Sequence, residues 1–146
     1  MNLALARRLV ALAGVALLAV VAALALTSAT RAKETDEQAQ AEPIPAPGGG
    51  WYDALAAPRA PRRGARTACG LRLGARTMGV GHPVLPCGAK IFVSYGGKQV
   101  LTQVVDRGPL AAGHDFELTH ALADRIGLHG VQPIRWVFAR PPAREP

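Results

Sequence analysis

Val104-Val105-Asp106-Arg107-Gly108-Pro109 runs an apolar strand straight into a carboxylate, a guanidinium and a tight Gly-Pro turn. A carboxyl group behind two valines is a candidate acid/base, because partial desolvation raises its pKa toward working pH. Upstream, Gly81-His82-Pro83 supplies an imidazole that the following proline keeps extended or in a turn. Downstream, Asp115 and Glu117 alternate with Phe116 and Leu118. Glu117 is the natural second carboxylate, since like charges in one cleft push one pKa up. Each residue also has a plainer reading. Asp106 can cap its own turn, His82 can be an exposed loop residue, and Asp115 and Glu117 can be solvated beside a buried Phe116 and Leu118. Arg107 need not pair with Asp106, because successive strand residues point to opposite faces.

Other polar groups carry less chemistry. His114, His120 and His129 lack metal-ligand spacing and read as surface residues, so no metal and no cofactor are expected. Trp51 and Tyr52 are candidates for stacking on a ligand, with packing into the fold as the alternative. Trp136 and Phe138 read as core. Arg59, Arg62, Arg63 and Arg66 make a basic, proline-containing loop expected to be solvated. Cys69 and Cys87 lie 18 residues apart. In an exported domain two cysteines usually pair, and closing that loop is worth roughly 3 kcal/mol. Buried free thiols are the alternative. A zinc site is disfavoured because neither cysteine has a CxxC partner.

The elements that must position these groups are short. Lys90 to Tyr95 alternates, with Ile91, Val93 and Tyr95 on one face, and Gly96-Gly97 signals a hairpin. Gln99 to Val105 returns. Val131 to Ala139 reads as a last strand with Ile134, Trp136 and Phe138 on one side. One short helix is expected after Thr119, with Leu122, Ala123 and Ile126 as its apolar stripe and Gly127 at its end. Ala57 to Arg66 reads as a long exposed loop. Short strands, one helix and many Gly/Pro turns predict a small, mainly β barrel.

Ahead of this domain, Arg7 and Arg8 precede an apolar run, Leu9 to Leu26. Residues 1–30 therefore read as a signal peptide or an N-terminal membrane anchor with the domain outside the cytoplasm. Residues 31–50, polar and then Pro/Gly-rich, read as a linker; 51–140 form the barrel domain and 141–146 a tail. Charges in 1–50 cancel. The net charge of +7 thus belongs to residues 51–146, with 13 basic and 6 acidic side chains. Such a balance outside the cytoplasm suits an anionic wall polymer or lipid headgroup. Nucleic acid is disfavoured by export and by the lack of interleaved aromatics.

Trp51-Tyr52, Thr67-Ala68-Cys69-Gly70, Gly81-His82-Pro83-Val84-Leu85-Pro86-Cys87-Gly88, Val104 to Pro109 and Glu117-Leu118-Thr119 stand in one order. In these motifs the chain resembles the rare lipoprotein A-like double-psi β-barrel domains, with expansins and some small endoglucanases as more distant relatives. The resemblance covers residues 51 to about 139. It implies a six-stranded barrel with a groove for a glycan strand, acting in the cell wall on peptidoglycan or another wall polysaccharide, as a monomer. It implies a catalytic role for Asp106 and His82, with Glu117 standing one methylene longer than the family's Asp. Thr67 and Arg107, in the matched motifs, are expected to contact substrate together with Trp51 and Tyr52. The family's third acid is replaced by Leu71, which cannot transfer a proton. Cys69 and Cys87 replace a Ser and an aromatic residue as a pair.

Hydrolysis of a glycosidic bond uses two carboxyl groups at a set separation. Lytic transglycosylation needs one acid, which protonates the leaving oxygen and then takes a proton from the sugar's own hydroxyl as an anhydro ring closes. Such an acid must start neutral, so Asp106 would need a raised pKa. Three readings follow: a lytic transglycosylase using Asp106, a non-catalytic glycan-binding or wall-loosening module, and a secreted protease-inhibitor-type binding module.

Overall fold

The computed structural model describes residues 36, 38–60, 66–108 and 110–140. The apolar segment 1–30, most of 31–37, Arg62 and Arg63, Pro109 and the 141–146 tail lie outside the described residues. Two compact units divide the chain, Met1–Ala39 and Gln40–Pro146. The second holds the barrel.

Among its described residues are seven strands, β1 (Glu42–Ile44), β2 (Tyr52–Pro58), β3 (Val80–Gly81), β4 (Lys90–Tyr95), β5 (Lys98–Asp106), β6 (Phe116–Leu118) and β7 (Gln132–Arg140), and one helix, α1 (His120–Ile126). Their order in the sheet is β1-β7-β2-β6-β3-β5-β4, and a β7–β4 pairing closes six of them into a barrel. Two pairs are parallel, β2 with β6 and β3 with β5. The rest are antiparallel.

The alternating patterns place the core. Ile91 and Val93 of β4, Val104 of β5, Phe116 and Leu118 of β6 and Ile134 of β7 are buried in one cluster, joined by Tyr95, Trp136 and Phe138. Gly96 and Gly97 take φ of 56° and 76° at the β4–β5 turn, as a two-residue hairpin of this twist requires. Helix α1 seals the cluster with Leu122, Ala123 and Ile126, and Gly127 ends it at φ 77°. Thr119 stands at its N-cap without a side-chain cap bond. Its hydroxyl instead accepts from the Gly79 amide at 3.1 Å, tying the helix start to β3.

Two expectations need correction. Within the expected linker, Glu42–Ile44 is a strand paired with Phe138–Arg140 of β7. Phe92, Val137 and Ala139 form a second apolar cluster, covered by Ala41, Trp51 and Leu101. That apolar patch gives the chain around β1 something to pack on, which its own Pro-rich composition conceals. The loop expected from Ala57 also begins later. Ala57 and Pro58 pair with Glu117 and Leu118, and the Arg59 amide donates to the Leu118 carbonyl at 2.7 Å.

Candidate functional site

Three adjacent strands, β6, β3 and β5, bring the acids together. Gly81 of β3 faces Glu117 on one side and Asp106 on the other. Between Val80 and Gly81 the β3–β5 register shifts, so Val80 faces Val104 while Gly81 faces Asp106. An irregularity of this kind re-aims a side chain. A Cβ on Gly81 would stand 3.6 Å from the Glu117 Cβ and 3.8 Å from the Asp106 Cβ. The two acids thus share one face, flanking a gap that glycine leaves open.

Arg59 fills that gap. Its Nη2 donates to Asp106 Oδ2, and its Nε lies 3.8 Å from Glu117 Oε2. Asp106 Oδ1 accepts from the amides of Ala68 and Arg107, each at 2.8 Å. Asp106 is 2 % exposed. Both of its oxygens are therefore engaged. Burial pushes the Asp106 carboxyl upward, but the Ala68 amide, the Arg59 guanidinium and the Arg107 amide together outweigh it. Its pKa lies below the ordinary carboxylate value. A neutral starting acid, which the lytic chemistry requires, is not what this environment favours.

Glu117 is buried, and its Oε1 accepts from the Ala111 amide at 3.2 Å. His114 Nε2 lies 3.7 Å from the same oxygen. His114, read from sequence as a surface residue, has a side chain only 7 % exposed. Arg59, read as part of a solvated loop, is 10 % exposed at its side chain. Asp115 stays exposed, as expected, and its Oδ2 accepts from the Leu55 amide at 2.9 Å.

His82 is joined to the same region by backbone, since its amide donates to the Asp106 carbonyl at 3.0 Å. Its Nδ1 accepts from the Val84 and Leu85 amides at 3.2 and 3.1 Å and so is turned to its own loop and not to the acids. The imidazole packs on Phe116 with ring centroids 4.5 Å apart. Burial lowers the His82 pKa, against an opposing pull from Asp115. A neutral ring with a spent Nδ1 suits holding the Pro83–Pro86 loop.

The expected substrate contacts are spread around this centre. The Thr67 hydroxyl accepts from the Leu71 amide at 3.1 Å, closing a tight loop. Arg107 reaches the Pro83 carbonyl with Nη2 at 3.3 Å and leaves Asp106 to its own backbone amide. Tyr52 stacks on Trp136 at 4.8 Å between centroids, and Trp51 packs on Phe92 at 6.4 Å. Leu71, where the resemblance places an acid, is 43 % exposed. Cys69 and Cys87 form a disulfide with Cα atoms 5.6 Å apart. It fastens the Thr67–Leu71 loop to the loop after His82.

Among the described residues no group of three or more His, Cys, Asp or Glu could hold a metal ion. Sequence reasoning missed Arg59 and His114. The usable signal was indirect: an acid behind two valines needs a buried counter-charge, but nothing in the sequence says which arginine supplies it.

A family model described as "Lytic transglycolase" matches residues 50–136. Over 67 residues the chain is 34% identical to "Probable endolytic peptidoglycan transglycosylase RlpA" of Aquifex aeolicus (strain VF5). That match covers 44% of this chain and 30% of the relative, so the chain spans less than a third of the relative's length. Among solved structures, "Streptomyces papain inhibitor (SPI)" aligns with a TM-score of 0.51 and 23% identity, over 63% of this chain and 96% of the other. That likeness is one of fold.

Proposed function

The chain belongs to the lytic transglycolase family of double-psi β-barrels, and from that membership we propose that its barrel engages peptidoglycan strands as a glycan-binding module. The observation that carries the binding form is the state of Asp106. Its carboxylate is ionised, buried, and committed to Arg59 and two backbone amides. With Leu71 exposed in place of an acid, proton transfer has no second donor on that loop. The module works outside the cytoplasm, as a monomer, and takes no nucleic acid. The Cys69–Cys87 disulfide supports an oxidising compartment, and the basic surface supports an anionic wall.

Retention of the purified full-length chain on insoluble peptidoglycan, at low and high salt, tests this reading. The expected result is retention at low salt with no soluble sugar released. Absence of retention at low salt rejects it.

A second reading, lytic cleavage, is favoured by one observation: Asp106 and Glu117 flank Gly81 on one face. Two carboxyl groups so placed would hold one proton between them once the intervening cation is gone. Asp106 would then protonate the leaving glycosidic oxygen and recover a proton from the sugar hydroxyl that closes the anhydro ring. Release of anhydro-muropeptides by the wild type, lost in Asp106→Asn, would establish this reading over the first.

A further inference from the structure

We propose that Arg59 is a built-in occupant of the Asp106–Glu117 gap, a guanidinium that stands where a ligand's donor groups would go and withdraws when they arrive. This rests on the glycan reading above and concerns how that same site is opened.

Three observations carry it. First, position 81, between the two acids, is glycine and puts no side chain there: a Cβ would meet Leu110 Cδ2 at 3.2 Å, Glu117 Cβ at 3.6 Å and Asp106 Cβ at 3.8 Å, and the Arg59 guanidinium lies against both carboxylates. Second, Arg59 is poorly satisfied where it sits. Nη2 serves Asp106, yet Nε and Nη1 are buried and make no hydrogen bond among the described residues. Buried orphan donors forfeit their bonds to water. Withdrawal returns those donors to solvent and offsets part of the lost ion pair. Third, only the side chain has to move. The Arg59 backbone is pinned by its amide to the Leu118 carbonyl at 2.7 Å, and a long, flexible side chain swings about its own torsions.

The vacated gap also names its ligand class. Its central groups are the acceptors Arg59 now faces: the carboxylate of Asp106, which takes two backbone amides on Oδ1, and that of Glu117, which takes one on Oε1. Arg107 is turned to the Pro83 carbonyl and His82 Nδ1 is spent. An incoming group must therefore bring donors. Sugar hydroxyls and the amide N–H of an N-acetylated sugar do so; a phosphate does not. An anionic polymer alone would leave Arg59 in place.

Soluble peptidoglycan fragments from a muramidase digest are the probe, with full-length wild type, Arg59→Gln and Arg59→Lys. The Arg59 Nε–H resonance, assigned by its loss in Arg59→Gln, reports the side chain directly. On adding fragments to wild type it is expected to move and to exchange faster with water. Arg59→Gln, folded by its amide spectrum, is expected to bind at least about tenfold tighter, the gain when an occupant present about nine-tenths of the time is removed. Arg59→Lys, which keeps the charge, is expected to bind like wild type. Fragment binding with an unmoved Arg59 resonance overturns this inference and leaves the glycan reading intact. A folded Arg59→Gln with unchanged affinity does the same. No binding by wild type or Arg59→Gln sinks both. If Arg59→Gln does not fold, the wild-type resonance, assigned instead by its loss in Arg59→Lys, decides alone.

Discussion

At Asp106 a single carboxylate satisfies three donors in a place that water scarcely reaches. Removing it strands the Arg59 guanidinium and the Ala68 and Arg107 amides together. Breaking a buried pair from one side costs about 3–5 kcal/mol. Asp106→Ala is expected to lose that much in urea unfolding, and a loss below about 1 kcal/mol would show the pair to be incidental. Acid should act through two groups. The pKa values of His82 and Asp106 are both depressed in the fold, so the unfolded chain binds protons that the native state refuses. The His82 contribution is full above about 6.5 and fades as pH falls below that. The Asp106 contribution is full above about 3.9 and is lost as pH falls through its lowered value. The unfolding midpoint should therefore drop between about pH 7 and 5, and His82→Asn, which keeps an acceptor but cannot titrate, should flatten that step. A wild-type midpoint constant over that range contradicts the assignment. Asp106, His82 and Glu117 were legible as neighbours because motif order carried them. The sign of the Asp106 shift was not, since Val104 and Val105 announce burial and nothing local announces Arg59.

Strands and turns show the same division. The β4–β5 hairpin and α1 were readable from Ile91, Val93, Gly96-Gly97 and the Leu122-Ala123-Ile126 stripe, where local pattern and tertiary fold agree. The register shift between Val80 and Gly81 was not readable, because it depends on how two short parallel segments meet. Its neighbour Gly79 shows how tight that meeting is. A Cβ there would come within 2.4 Å of Val105 Cγ1 and 2.7 Å of Cγ2, in a buried residue. Gly79→Ala is expected to cost about 1–3 kcal/mol by overpacking. Thermal unfolding measures it, and Gly79→Ala/Val105→Ala should recover much of the loss. An unchanged midpoint in the single variant would mean that β3 and β5 separate freely. Strand β1 is hidden in the sequence for another reason: Pro43 reads as a spacer residue, yet a proline is tolerated on a strand bonded along one edge.

For the molecule as a whole, the barrel is small and buries about two-thirds of its unfolded surface, so one covalent staple matters. The Cys69–Cys87 bond closes a stretch of 18 residues. Cys69→Ser/Cys87→Ser is expected to lower stability by about 3 kcal/mol, seen equally when wild type is unfolded under reductant. The same reduction frees the Thr67–Leu71 loop, whose Ala68 amide helps hold Asp106. Equal stability with and without reductant would leave the bridge ornamental. The whole fold class was legible because barrel, helix and staple each leave marks in composition, whereas the ion pair across Gly81 joins residues 47 and 58 positions apart.

Strand β1 ends the sheet, outside the six strands that close. It is bonded along a single edge, to the last three residues of β7, and its three residues are exposed. Tension arriving along the polypeptide from before Glu42 would load this short seam first, and the seam could peel as a mechanical fuse, lengthening the lead by a few residues while the closed barrel behind it stays shut.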